Sequence, residues 1–188
     1  MTVYEPYPDR VTVNGREILL DLSYDRVLMA FDILGMYELT TLDRFETVCR
    51  ILIRSPEDIP QDLSGMAIVL SEILKLFPSN AEQADKTIDF HQDAALIRSA
   101  FFRIGIDLTK EKINIFQFLE LLGDLPKDTA LMRVIDIRTR PIPKVTEENR
   151  DQVAELQRLK QKFAIRLSDE ERLRNFAKSL RKSSILMG

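Results

Sequence analysis

The residues best suited to chemistry in this sequence lie around its single histidine, His91, which is flanked by Asp89 and Asp93. Imidazole and carboxylate groups bind metal ions and transfer protons. Residues two apart on a helix point in different directions, however, and an aspartate just before a periodic apolar run is typical of a helix cap. We therefore predict a helix start at Asp89 and no metal site.

Other catalytic patterns are not found in the sequence. The carboxylate pairs Glu57-Asp58 and Glu147-Glu148 fall in predicted loops or helix starts, where solvated charge is ordinary. The six glycines are scattered singly and form neither a phosphate-binding loop nor a nucleophile elbow. The one cysteine, Cys49, stands in an apolar run and is predicted to be a small buried side chain. The sequence thus predicts a protein that is not an enzyme, with no catalytic residues, no metal and no cofactor.

The composition predicts a folded protein without a membrane-spanning segment. The chain has 188 residues, of which 45% are hydrophobic and 30% are charged, enough for one domain with a core. No apolar run approaches the ~20 residues that cross a bilayer, and the first residues lack the basic start and apolar region of a secretion signal. We expect a cytoplasmic protein with no membrane partner.

Charge is distributed unevenly along the chain. Residues 1–137 have 14 Lys and Arg against 23 Asp and Glu, a net charge of −9, whereas residues 138–188 have 13 against 7, a net charge of +6. Two basic clusters, at 158–166 and 172–182, could contact phosphates. The acidic body and the lack of interleaved aromatic residues argue against this, so we predict no nucleic-acid partner. Head-to-tail association of copies, steering of the tail to an acidic partner and a simply solvated tail all stay open.

The first predicted element is a small β-hairpin over residues 10–22. Arg10–Val13 and Glu17–Leu22 favour strands, and Asn14-Gly15 between them is the dipeptide most typical of a two-residue hairpin turn. An isolated two-stranded hairpin is marginal in water. It must therefore lie on helices of its own chain or pair with a neighbouring chain.

Apolar residues at three- and four-residue steps predict seven or eight helices after the hairpin. Caps, glycines and prolines indicate where the helices begin and end. Ser23 is the predicted cap of the first helix, and Thr40 or Thr41 that of the second. Arg138 and Arg140 have the charge that is favoured at a helix C-terminus. The predicted helices are Tyr24–Met36, Leu42–Arg54, Gln61–Phe77, three short helices within Ile88–Arg138 that begin at Asp89, Thr109 and Pro126, a long helix ending at Ala164, and a capped helix after Ser168.

These elements predict a mainly α fold, a compact multi-helix domain with a small N-terminal β-hairpin and a C-terminal helical extension. In this prediction, residues 1–140 form the helical body and residues 141–188 form a linker and a basic helical extension. The polar stretch at residues 78–86 separates the third helix from the three short ones.

A family resemblance is visible in three segments, IDFHQDAALIRSAFFRIGIDL, FQFLELLGDL and KDTALMRVIDIR. The chain resembles, over roughly residues 4–165, the bacteriophage gp fifteen tail-module family of long-tailed phages and prophages of Gram-positive bacteria. Its members are encoded just before the tape measure protein and look like tail assembly chaperones. The resemblance implies a homo-oligomer, as a spiral or a ring, that binds the tape measure protein, with the major tail tube protein as a further partner. It also implies action in the cytoplasm of the bacterial host and absence from the mature virion.

Two rival functions stay open on the sequence. One is a structural or connector protein of the phage tail, and the other, less well supported, is a nucleic-acid-binding regulator that uses the basic C-terminal helices. The residues predicted to bind partners are apolar or basic positions of the hairpin, of the FQFLELL helix and of the C-terminal helices. They are Val11, Val13, Ile18, Leu20, Phe116, Leu156, Phe163, Arg172, Phe176 and Leu180.

Overall fold

A computed structural model of the chain describes residues 5–36, 38–77 and 87–166. Within these ranges seven α-helices follow a two-stranded antiparallel sheet, which confirms the prediction of a mainly α fold with an N-terminal hairpin and a C-terminal helix. The predicted helix after Ser168 and the polar stretch 78–86 lie outside the described residues. The strands are β1 (Arg10–Val13) and β2 (Arg16–Leu19), and the helices are α1 (Tyr24–Gly35), α2 (Thr41–Leu52), α3 (Leu63–Lys75), α4 (Ala94–Arg103), α5 (Ile115–Gly123), α6 (Ala130–Thr139) and α7 (Arg150–Phe163).

The described residues fall into two compact units. Unit 1 lies within residues 1–84 and 101–125, and unit 2 lies within residues 85–100 and 126–188. The division falls inside α4, between Ala100 and Phe101. The predicted division into a body and an extension at residue 140 stays a prediction.

The N-terminal hairpin forms with Asn14 and Gly15 at its turn. Both have positive φ, 51° and 78°, the left-handed conformation that a two-residue type I′ turn requires. The second strand ends before the predicted Leu22. Beyond it, Leu20 forms an isolated bridge to Ile53, which connects the hairpin to the end of α2.

Unit 1 packs the hairpin on its own helices. β1 lies against α3, α2 contacts both α1 and α3, and α5 packs on α1. Each of these helices has an apolar stripe at helical spacing, and the stripes meet in the core because burial removes them from water. The most buried side chains of this unit include Leu20, Val27, Val48, Val69, Phe101, Ile115 and Phe118.

Helix α5 begins later than the sequence predicts, at Ile115. The residue before it, Asn114, forms an isolated antiparallel bridge with Ser23 at the start of α1. In this pairing the Ile115 amide donates to the Leu22 carbonyl at 2.8 Å. Such extended backbone is incompatible with a helix that runs on from Thr109, so tertiary pairing overrides the local helix signal.

Two of the helix caps differ in how well the sequence predicts them. Thr40, one of the two predicted candidates, caps α2, because its hydroxyl accepts a hydrogen bond from the Asp43 amide at 3.1 Å. Ser23 occupies the cap position of α1 but makes no cap bond with its side chain. Its hydroxyl donates instead to the Asp21 carboxylate at 2.8 Å, so the predicted cap residue is confirmed in position but makes no side-chain bond to the helix.

The Gly65→Ala variant is predicted to destabilise unit 1. A Cβ at Gly65, in the first turn of α3, would lie 2.7 Å from the Pro60 Cβ and 3.0 Å from an Asp62 carboxylate oxygen. Overpacking of this kind typically costs about 1–3 kcal/mol of unfolding free energy. Gly35→Ala is the matched control, since nothing lies within 4 Å of a Cβ there. Urea unfolding monitored by circular dichroism measures both, and a Gly65→Ala midpoint equal to that of the control would contradict the prediction.

Candidate protein-binding surface

Four partly exposed aromatic side chains form a continuous row in unit 1. Tyr7 stacks on Phe116 with ring centroids 6.4 Å apart, and Phe116 stacks on Phe77 at 5.2 Å. Phe77 then meets Phe31 nearly edge-on, with centroids 5.6 Å apart. We call Tyr7, Phe31, Phe77 and Phe116 the aromatic row.

Separate segments of unit 1 contribute to the aromatic row. Phe31 belongs to α1 and Phe116 to the first turn of α5, two helices that pack together, while Phe77 follows the end of α3. Tyr7 lies before β1, and its hydroxyl donates to the Glu120 carboxylate at 2.5 Å. This hydrogen bond to a carboxylate raises the pKa of Tyr7 above its usual value. The row is therefore a product of tertiary packing, held at one end by a polar contact.

The exposure of the aromatic row distinguishes it from the aromatic core. Phe101 and Phe118 stack at 5.0 Å and are almost completely removed from solvent. Phe31, in contrast, is 43% exposed, and the other rings of the row are half-buried. Each ring of the row therefore keeps part of its apolar surface in water.

Two leucines extend this apolar surface. Leu74 stands one helical turn before Phe77, and Leu119 stands one turn after Phe116, so each lies on the same side of the backbone as its aromatic neighbour. They are 49% and 39% exposed. Contiguous exposed apolar surface with aromatic residues is typical of sites at which proteins bind one another.

The aromatic row lies in the acidic unit. Unit 1 has 10 Lys and Arg against 18 Asp and Glu, a net charge of −8, whereas unit 2 has 17 against 12, a net charge of +5. Glu120 binds Tyr7 directly, and Asp32 follows Phe31 on α1. Acidic residues around an apolar surface favour a partner segment that is both apolar and basic.

Unit 2 is organised around a buried ion pair between α6 and the residue before α4. The Arg138 guanidinium donates to both carboxylate oxygens of Asp93, from Nη1 at 2.6 Å and from Nη2 at 2.8 Å. The two side chains are only 8% and 3% exposed. Because a bidentate pair satisfies the donors and acceptors of both groups, it is one of the few arrangements in which buried charges are stable.

The same guanidinium also binds two backbone carbonyls. Arg138 Nε donates to the Phe163 carbonyl at 2.7 Å, and Nη1 also donates to the Thr87 carbonyl at 2.9 Å. Lys160 in turn donates to the Arg138 carbonyl at 2.6 Å. One side chain therefore connects α6, the end of α7 and the segment before α4.

The hairpin residues predicted to bind partners lie mostly in the core of unit 1. Val11 and Ile18 face each other across the two strands and are 6% and 4% exposed. Leu20 is fully buried and Val13 is half-buried. These side chains pack within unit 1 in the described structure, and their part in partner binding stays a prediction.

The other predicted partner-binding residues are divided between the units. Phe116 is a member of the aromatic row in unit 1. Leu156 and Phe163 are half-buried on α7 in unit 2, and the Phe163 carbonyl is bound by Arg138. The remaining three, Arg172, Phe176 and Leu180, lie outside the described residues.

Three members of the aromatic row are not among the predicted partner-binding residues. Phe31 and Phe77 lie in the predicted helices Tyr24–Met36 and Gln61–Phe77, and Tyr7 precedes the predicted hairpin. The available signal was position, because Phe77 immediately precedes the polar stretch 78–86 and Tyr7 lies between two prolines. Neither setting is typical of a core residue.

The two residues considered for metal binding or reactivity, His91 and Cys49, lie in an exposed turn and in the core. His91 is exposed, and its backbone amide donates to the Asp89 carboxylate at 3.0 Å. Cys49 is buried, and burial raises the pKa of its thiol to about 11. Within the described ranges, no three His, Cys, Asp or Glu side chains are grouped to hold a metal ion. Among the described helices, none combines the length and the apolar character that a bilayer crossing requires.

Comparison with known proteins yields a family match. The model of a family described as "Bacteriophage Gp15 protein" matches residues 4–165. The matched range contains the whole aromatic row and the Arg138–Asp93 pair, and it ends before Arg172. No curated protein and no solved structure matches the chain.

The Arg138→Met variant is predicted to lose about 3–5 kcal/mol of unfolding free energy, because it leaves the Asp93 carboxylate buried and unpaired. The Arg138→Met/Asp93→Leu double variant is expected to be more stable than the single one, since it removes both charges. Arg133→Met, at an exposed position of α6, is the control and should change stability by no more than about 0.5 kcal/mol. Urea denaturation of all three measures the effect. Equal losses for Arg138→Met and Arg133→Met would refute the role of the ion pair.

A pH dependence of stability is also expected from Asp93. Burial by itself raises the pKa of this carboxyl, but hydrogen bonds from Arg138 and from the Asp89 amide outweigh it, so the pKa is lowered from the ordinary 3.8. Because the folded pKa lies below the unfolded one, the stabilisation is complete above the unfolded pKa and is lost as pH falls through the folded pKa.

Unfolding free energies of the wild type and of Asp93→Asn, measured from about pH 6 down to about pH 2, test this expectation. The wild type should lose more stability than the variant over the acidic part of the range. Hydrogen bonds from Lys110 and Thr109 lower the pKa of Asp107 to about 2. Asp107 is present in both proteins, so its contribution cancels in the comparison. Parallel curves for the two proteins would contradict the assignment, as would an unshifted Asp93 carboxyl titration observed by NMR in the wild type.

Proposed function

The chain belongs to the bacteriophage Gp15 protein family, since the family model matches well over half of its residues, and from this membership we propose that it is a tail assembly chaperone. The family makes it a phage structural or morphogenesis protein. In the finer proposal it is non-catalytic, oligomerises and binds the tape measure protein. It keeps that protein soluble until the tail tube subunits polymerise around it and displace the chaperone.

The surface of unit 1 supports this proposal physically. A chaperone for a long helical client needs exposed apolar side chains that bind without forming a permanent interface. Apart from the aromatic row, Phe102 is 70% exposed and Met29 is 53% exposed. Methionine and exposed aromatic side chains adapt to many apolar partners, which suits a client with many similar segments.

The net charge of unit 1 supports the proposal in a second way. Exposed apolar surface promotes aggregation, and a net charge of −8 on the same unit opposes it by repulsion between copies. A protein of this kind stays soluble alone and still binds an apolar client. We propose that it does so in the cytoplasm of the bacterial host, without a nucleic-acid or membrane partner, and that it leaves before the virion is complete.

Co-expression with the protein encoded immediately downstream tests the proposal. The tape measure protein should be insoluble alone and soluble when co-expressed, and the two should co-purify. Phe102→Ser should reduce the recovered complex severalfold without changing the unfolding midpoint of the chain. Ser99→Ala, at an exposed position of the same helix, is the control and should recover as much complex as the wild type. If the tape measure protein stays insoluble and no complex is recovered, the chaperone proposal is wrong.

A further inference from the structure

We propose that the aromatic row of one copy binds the basic C-terminal segment of a second copy, residues 167–188. This inference assigns a site to the self-association that the proposed function requires, and it does not depend on the identity of the client. The two surfaces belong to the same sequence but differ in charge and character. Their contact therefore joins copies head to tail.

The aromatic row has the dimensions of a helix-binding surface. Its ring centroids follow one another at 6.4, 5.2 and 5.6 Å. An α-helix rises 5.4 Å per turn, so apolar side chains one turn apart on a docked helix would meet successive rings. The exposed side chains of Leu74 and Leu119 widen the surface beyond the rings themselves.

The sequence of residues 167–188 has the matching pattern. Its apolar residues Leu173, Phe176, Ala177 and Leu180 recur at three- and four-residue steps, the spacing of one face of a helix. Such an amphipathic face in an apolar groove is a recurrent mode of peptide recognition. On a helix, Leu173 to Leu180 would span two turns, about 10.5 Å, which matches the two steps from Phe116 to Phe77 and from Phe77 to Phe31.

Charge complementarity favours this occupant over a neutral one. The segment has five Lys and Arg against three Asp and Glu, and the three acidic residues all precede the first basic one. Its second part, from Arg172 on, therefore has only basic charges. The opposing surface includes Glu120 and belongs to a unit with a net charge of −8.

The segment leaves from a fixed point of unit 2. Gln92 donates to the Ala164 carbonyl at 3.0 Å and accepts from the Arg166 amide at 3.0 Å. The backbone is therefore held at the last described residue, and the 22 residues beyond it begin at the surface of the basic unit. A contact between two different surfaces does not close by two-fold symmetry, so repeated copies form an open assembly, which suits a rod-like client.

Complementation between two full-length variants tests this contact. Phe31→Asp damages the row and leaves the segment intact, whereas Phe176→Asp damages the segment and leaves the row intact. Each variant alone should associate at least about tenfold more weakly than the wild type in sedimentation velocity. An equimolar mixture should form heterodimers, because one intact row meets one intact segment, and higher salt should dissociate them.

Leu42→Asp is the matched control, since it places the same charge on an exposed position of α2, a helix that contributes no ring to the aromatic row, and it should keep the wild-type mass. Leu119→Asp, on the solvent side of α5, is the second row variant in case Phe31→Asp does not fold. Wild-type mass for the row and segment variants, or a mixture that stays monomeric, would overturn the contact. Because no tape measure protein is present, such a failure would leave the chaperone proposal standing.

Discussion

The bidentate contact between Arg138 and Asp93 is the interaction on which the described part of unit 2 depends. Two charges lie almost fully out of water there, and each is stable only because the other is present. The same guanidinium binds the carbonyls of Thr87 and Phe163, so the segment before α4 and the end of α7 are positioned through it. Arg138 thereby helps hold the end of α7, the helix that precedes the basic C-terminal segment in the sequence.

Unit 1 separates its aromatic residues into two groups with different roles. Phe101 and Phe118 stack at 5.0 Å and belong to its interior. The aromatic row stacks at similar distances but keeps its rings partly in water. Exposed apolar surface promotes aggregation of a free protein, and the acidic charge of unit 1 limits that aggregation. The combination supports the proposal that the protein binds other proteins reversibly.

Local signals in the sequence predicted the helices and the hairpin well and the tertiary contacts poorly. Asn14-Gly15 specifies its turn by backbone conformation alone, and Thr40 caps α2 through a bond within the helix. The start of α5 was predicted too early, because pairing between Asn114 and Ser23 is a contact between distant parts of the chain. Arg138 was interpreted only as a cation favoured at a helix C-terminus, and Asp93 was considered as a metal ligand and rejected. No periodicity relates residues so far apart, and for the same reason only Phe116 of the aromatic row was recognised as a contact residue.

We propose that the protein assists tail assembly and is not a component of the finished particle. Quantitative mass spectrometry of purified virions, with the tape measure protein as the internal reference, tests it most directly. A chaperone should be abundant in infected cells before lysis and absent from virions that contain the tape measure protein. A fixed stoichiometry with the tape measure protein in purified virions would instead identify a structural or connector protein of the tail.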